Sequence, residues 1–161
     1  MLLISHRGNT NGKIVEENHP DLLKHVLNTT NYHIEIDVWY VKGKIYLGHD
    51  EPDYEVCRSF LDDKRFICHA KNYEALFMLN NTLLHYFWHE EDDFTLTSGN
   101  YIWTYPGKNL TTNSIAVQPE AKEEWWNWTK DCKDIAGVCT KYVKKFITET
   151  GPMSIGSTKK L

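Results

Sequence analysis

The chain has 161 residues and a formal charge of -4, from 18 basic and 22 acidic side chains. That length suits one domain with one core, and 41% hydrophobic with 13% aromatic residues supplies the apolar mass to build it. The acidic balance argues against nucleic acid as the partner, because such proteins carry a basic stripe; no apolar run approaches the length of a bilayer span.

The first predicted element is the apolar run Leu2–Ser5, with no basic leader or long apolar region before it. No signal peptide is therefore expected, and the expectation is a cytoplasmic protein. The sequons at Asn28, Asn80, Asn109 and Asn127 matter only for a secreted chain. A helix is predicted from Pro20 through Leu27, with Pro20 at its start. Strands follow at 33–40 and 44–47, then at 66–68. Asn72 is placed to cap a helix over 73–79. Further strands are expected at 85–88, 94–97, 101–105, 114–118 and 135–142. Pro119 opens a predicted helix running past Trp125, Trp126 and Trp128, read as packing residues, and 144–148 forms a short last helix. Residues 1–150 are read as the domain and 151–161 as a loose tail.

Strands alternating with helices imply an α/β fold with a largely parallel sheet. With 44–47 set aside as a hairpin insertion, about eight core strands remain, which suggests a compact, shortened (β/α)8 TIM-type barrel, with an open α/β sheet as the alternative. Such barrels normally need roughly 200 residues or more, so several helices must be short or missing, notably between 89 and 114. Of the four cysteines, Cys57, Cys68, Cys132 and Cys139, none forms a C-x-x-C pair. Free thiols are expected.

Chemistry concentrates where these runs end. In Ile34-Glu35-Ile36-Asp37-Val38 the side chains alternate, so Glu35 and Asp37 share one face. Two carboxylates on one face repel unless a cation lies between them, and Mg²⁺ or Ca²⁺ prefers such oxygen ligands. Alternation alone is also what any half-buried strand shows. His6-Arg7-Gly8 follows the first strand: Arg7 offers a planar fork for phosphate oxygens, His6 can exchange a proton near neutral pH, and Gly8 permits a sharp turn. His49-Asp50 closes the insertion that begins at Lys42-Gly43. The run His89-Glu90-Glu91-Asp92-Asp93 reads as a solvated loop. Trp103 and Tyr105 share a strand face and are placed either at a pocket mouth or in the core.

The order His6-Arg7-Gly8, Glu17-Asn18, Ile34-Glu35-Ile36-Asp37-Val38, Gly48-His49-Asp50 resembles the glycerophosphodiester phosphodiesterase family. The resemblance is strongest over residues 3–53. Beyond it, Lys71, Trp103-Thr104 and Gly137-Val138-Cys139-Thr140 look like later family motifs. The family is similar in fold to the spider-venom sphingomyelinase D enzymes. The resemblance implies a (β/α)8 barrel and a divalent metal held by Glu35 and Asp37. It implies that His6 and His49 form an acid–base pair, that Arg7 and Lys71 bind phosphate, and that Glu17 and Asn18 support the site. Two positions depart from the family pattern. His69 stands where the family has its third acidic metal ligand, and Lys141 where its last strand has an acid. Imidazole binds Mg²⁺ and Ca²⁺ poorly but suits Mn²⁺ or Zn²⁺; alternatively Glu90 or Glu120 completes the shell. The expected cofactor is thus Mg²⁺ or Ca²⁺ first, with Mn²⁺ or Zn²⁺ admitted by His69. The expected activity is metal-dependent hydrolysis of a small glycerophosphodiester, with neither nucleic acid nor stable membrane insertion involved. The alternatives are a non-catalytic phospho-ligand-binding barrel and a phospholipid or sphingolipid head-group lyase.

Overall fold

The computed structural model describes residues 1–121, 129 and 134–150. Trp125, Trp126, Trp128, Cys132 and the tail 151–161 lie outside the described residues. The strands are β1 (Leu2–His6), β2 (His33–Val41), β3 (Lys44–Leu47), β4 (Tyr54–Val56), β5 (Phe66–Ala70), β6 (Tyr86–Trp88), β7 (Phe94–Leu96), β8 (Ile102–Thr104), β9 (Ser114–Val117) and β10 (Gly137–Thr140). The helices are α1 (Pro20–Thr29), α2 (Tyr73–Asn80) and α3 (Val143–Thr150). Local chemistry explains their starts. Pro20 opens α1 where its missing N–H costs nothing. The Asn72 side chain accepts from Ala75 N at 3.0 Å and caps α2.

All ten strands join one mixed sheet in the order β4-β3-β2-β1-β10-β9-β8-β7, with β5 on the other edge of β2 and β6 beyond it. β1, β2, β5, β6, β8, β9 and β10 run parallel in their pairings; β3, β4 and β7 are antiparallel additions. The sheet curls into a half-barrel and is not a (β/α)8 barrel, which would need about eight helices; three are found among the described residues. The physical reason is connection length. Five residues between β7 and β8 allow only an antiparallel turn, and the loop from β8 to β9 crosses over without a helix. β4 is also new: Tyr54–Val56 is too short a run to stand out in the sequence.

The sheet is apolar on both faces. Outside it, Leu23 and Val26 of α1 and Ala75 and Leu79 of α2 pack on Ile34, Ile36 and Val38. α3 sets Phe146 against Ala116 and Val138. Inside the curl, Ile4, Ile67, Phe87, Trp103, Ile115, Val117 and Cys139 form a second cluster. Alternation along β1, β2 and β5 then lifts His6, Glu35, Asp37 and His69 onto that same inner face. Cys57, Cys68 and Cys139 are free thiols. Among the described residues no helix is long and apolar enough to cross a membrane.

One half-buried histidine, just before β6, links that strand to the segment after β7. His85 Nε2 lies 2.8 Å from Thr97 Oγ1, and Ser98 N donates to Tyr86 O at 2.9 Å. Burial lowers the His85 pKa from the ordinary 6.5 to about 4. The unfolded chain therefore binds a proton below pH 6.5 that the folded chain refuses until about pH 4. This contribution to stability is complete above that window and is lost as the pH falls through it. Urea melts of His85→Gln are expected to lose stability less steeply than the parent between those pH values; parallel curves would contradict this.

Candidate active site

β2 is the spine of the site because it has neighbours on both edges and two on one of them. β1 runs parallel to it up to the pair His6–Glu35. β3 runs antiparallel to it and reaches the pair Leu47–Val38 from the opposite direction. The two strands thus meet head to head on one edge of β2. Beyond their ends, Arg7 N donates to Glu35 O at 2.9 Å and Gly48 N to Asp37 O at 3.3 Å. This arrangement delivers His6 and His49, far apart in sequence, to the same stretch of β2.

Both turns need unusual backbone. Gly48 has φ +154°, and a Cβ there would overlap the Glu51 carbonyl, so only glycine fits. Trp39 Nε1 donates to the Gly48 carbonyl at 2.7 Å and fixes the turn that presents His49. Arg7, Asn18 and Gln118 adopt positive φ of 58°, 64° and 41°. Three such non-glycine residues in one site mark backbone held against its preference.

The floor is the carboxylate pair. Glu35 and Asp37 are 1% and 0% exposed. Asp37 is heavily partnered. Arg7 Nε lies 2.8 Å from its Oδ2, His69 Nδ1 3.0 Å and Lys71 Nζ 3.7 Å from its Oδ1. Asn18 Nδ2 donates to Oδ2 at 2.9 Å, while its Oδ1 accepts from Asp37 N at 3.0 Å. Burial alone would raise the Asp37 pKa, but the His69 hydrogen bond and the Arg7 charge outweigh it and hold the carboxyl well below the usual range. Glu35 is the reverse. Its nearest basic nitrogens are His6 Nε2 and His69 Nδ1, each at 3.7 Å, and its Oε2 has no hydrogen-bond partner. Burial, and then Asp37 beside it, push its carboxyl pKa up.

His6 is 4% exposed. Burial, then the Arg7 charge, lowers its pKa well below the ordinary value, so the ring is neutral near pH 7. The Gln118 amide lies 3.2 Å from Nε2 and donates to that bare nitrogen. His49 sits at the rim with its side chain 42% exposed and Nδ1 2.7 Å from Asp50 Oδ1. A cleft of about 520 Å³ is lined by both histidines together with Arg7, Glu35, His69 and Lys71.

Glu17 lies behind Arg7. It accepts from Asn9 Nδ2 at 2.7 Å, from Arg7 Nη1 at 3.4 Å, and pairs with Lys141 Nζ at 3.5 Å. Lys141 therefore neutralises an acid of the supporting layer instead of facing the floor. Glu120 belongs neither to the cleft lining nor to the group of Glu35, Asp37 and His69. It binds Thr140 Oγ1 at 2.7 Å and Lys141 N at 3.0 Å, fastening the end of β10. Glu90 is exposed and lines the cleft. Glu91, Asp92 and Asp93 are exposed as well. Trp103, 2% exposed, stacks on Phe87 at 4.5 Å and also borders the cleft, so it serves both core and wall. Tyr105 stacks on His89 at 3.9 Å along the same wall.

Two contributors escape the motif reading, Gln118 and Asn9, while His89, read as part of a solvated loop, is a half-buried residue of the cleft wall. Gln118 ends the β9 run and so occupies a strand terminus, the position from which the other site residues project. Asn9 follows His6-Arg7-Gly8 directly, and its Nδ2 also donates to His6 O at 2.7 Å.

The donor set suits a divalent cation. One atom each from Glu35, Asp37 and His69 lies within 4.8 Å of the others. The unsatisfied Glu35 Oε2 is a buried oxygen that a cation would satisfy. No family model matches the chain, and neither a curated protein nor a solved structure does.

Proposed function

We propose that the chain is a metal-dependent phosphodiesterase acting on a small diester of the glycerophosphodiester type. The observation that carries this reading is the head-to-head meeting of β1 and β3. It puts a buried and a half-exposed imidazole on one cleft, above a carboxylate pair flanked by Arg7 and Lys71.

A diester anion resists hydrolysis because its charge repels nucleophiles and its leaving oxygen is poor. Arg7 lies between two acids, with Nε 2.8 Å from Asp37 and Nη1 3.4 Å from Glu17, so the guanidinium is already oriented when phosphate arrives. Lys71 adds a second positive charge from the end of β5. Together they stabilise negative charge accumulating on the phosphoryl oxygens. His6 lies at the floor and His49 at the rim, so a diester between them meets one imidazole at the attacking oxygen and the other at the leaving oxygen. Each proton transfer of this kind typically contributes about 10²–10⁴-fold. A divalent ion held by Glu35, Asp37 and His69 would withdraw charge from the phosphate and lower the pKa of an attacking hydroxyl.

The test is turnover of a glycerophosphodiester by the purified chain before and after EDTA. Activity is expected to vanish on chelation and return with added divalent metal. Turnover that survives exhaustive chelation would remove the metal from the mechanism. A second reading, a non-catalytic phospho-ligand-binding domain, is favoured by the side chains that already surround Asp37, namely Arg7, Asn18, His69 and Lys71. Calorimetric binding of the same diester without turnover under any metal would select it.

A further inference from the structure

The third donor of the cluster is a nitrogen, and its ring is clamped. His69 is 8% exposed. It stacks on Phe87 at 4.7 Å with the planes 11° apart. Its Nε2 points at the backbone carbonyl of His89, 3.4 Å away. Nδ1 faces the acids, 3.0 Å from Asp37 Oδ1 and 3.7 Å from Glu35 Oε1. Without an ion Nδ1–H faces the Asp37 carboxylate; moving the ring proton to Nε2, where the His89 carbonyl can accept it, frees the Nδ1 lone pair for a cation at the acids. Metal-ligating histidines are oriented in this way, and the outer partner fixes both tautomer and ring angle.

A second observation points to a ligand independently. Glu35 is 1% exposed, and its Oε2 has no hydrogen-bond partner. Buried carboxylate oxygens are rarely left so. A cation at the cluster would satisfy that oxygen without disturbing the Asn18 bonds that hold Asp37.

We propose that Glu35, Asp37 and His69 form a transition-metal site, selective for Mn²⁺, Co²⁺ or Zn²⁺ over Mg²⁺ and Ca²⁺, with His69 Nδ1 as the selecting ligand. Mg²⁺ and Ca²⁺ are hard ions that demand oxygen and gain little from imidazole. Borderline ions accept two carboxylates and one imidazole readily. Lys71, 3.7 Å from Asp37 Oδ1, sharpens the choice, because a weakly held ion must compete with its charge. The inference deepens the metal part of the proposed function and rests on that reading only in placing the ion at the same acids.

The test reads binding instead of turnover. Calorimetric titration of the purified, chelator-treated chain with MnCl₂, ZnCl₂, MgCl₂ and CaCl₂ is expected to give Mn²⁺ and Zn²⁺ affinities at least about 100-fold above those of Mg²⁺ and Ca²⁺. His69→Asp is expected to shrink that ratio to roughly tenfold or less, by weakening Mn²⁺ and Zn²⁺ and strengthening Mg²⁺. Pulsed electron paramagnetic resonance of the unaltered Mn²⁺-loaded chain should show ¹⁴N coupling from one imidazole, so the proposal remains exposed even if the variant fails to fold. Absence of ¹⁴N coupling, equal affinities for Mg²⁺ and Mn²⁺, or no binding of any of the four ions would overturn it. Tight Mn²⁺ binding with ¹⁴N coupling but no diester turnover would sustain the site and defeat the phosphodiesterase reading. Metal-independent turnover with no Mn²⁺ binding would defeat the site.

Discussion

Replacing His6 or His49 with alanine is expected to lower diester turnover by at least about 10²-fold, with the fold retained. The two losses have different origins. His49 pairs with Asp50, and both side chains reach solvent, so its removal is expected to cost the structure little. His6 is buried, with Gln118 at 3.2 Å and Glu35 at 3.7 Å, so some stability goes with it. Near-UV circular dichroism and thermal melting separate that loss from catalysis. The double variant should be little worse than either single one if the imidazoles act as a unit. Near-normal turnover in either single variant would strip that residue of its role.

The second large effect is on stability, and it takes opposite signs at neighbouring acids. Asp37→Ala leaves Arg7, His69 and Lys71 crowded together without their common counter-charge. It also strands the Asn18 amide. Breaking a buried charge pair of this kind costs about 3–5 kcal/mol. Glu35→Gln, in the chelated protein, removes a carboxylate that nothing pairs well. Its pKa is raised by burial, so the folded chain holds a proton that the unfolded chain has released above the ordinary carboxyl value of 4.5. Stability of the parent therefore falls as the pH rises above that value, and the glutamine variant escapes the fall. Urea denaturation is expected to show Asp37→Ala much weaker than the parent and Glu35→Gln equal or stronger at pH 8. Equal destabilisation by both would show that the two acids are not differently held.

These contrasts trace back to what the sequence can and cannot display. Period-two alternation at 34–38 places Glu35 and Asp37 on one face, and that is where they lie. Strand ends mark His6, His49, His69 and Lys71, because each follows a short apolar run. The number of helices is not legible in the same way. Short apolar runs at 94–97 and 101–105 look like successive parallel strands, but the five residues between β7 and β8 leave room only for a turn. The partners of Glu120 and Lys141 are also hidden, since each depends on the end of β10 reaching a loop far away in sequence. Gln118 carries no motif and is found only through its position after β9.

The way β1 and β3 abut on a single edge of β2 makes that edge a ruler. The separation of the two strand ends is counted in β2 residues, and the Gly48 turn then carries His49 off the end of β3. Only even steps keep the acids facing inward, and each such step changes the span by roughly 7 Å. The gap between the strand ends is therefore graduated coarsely by strand length, and the Gly48 turn that Trp39 fixes is the one loop whose change would recalibrate it.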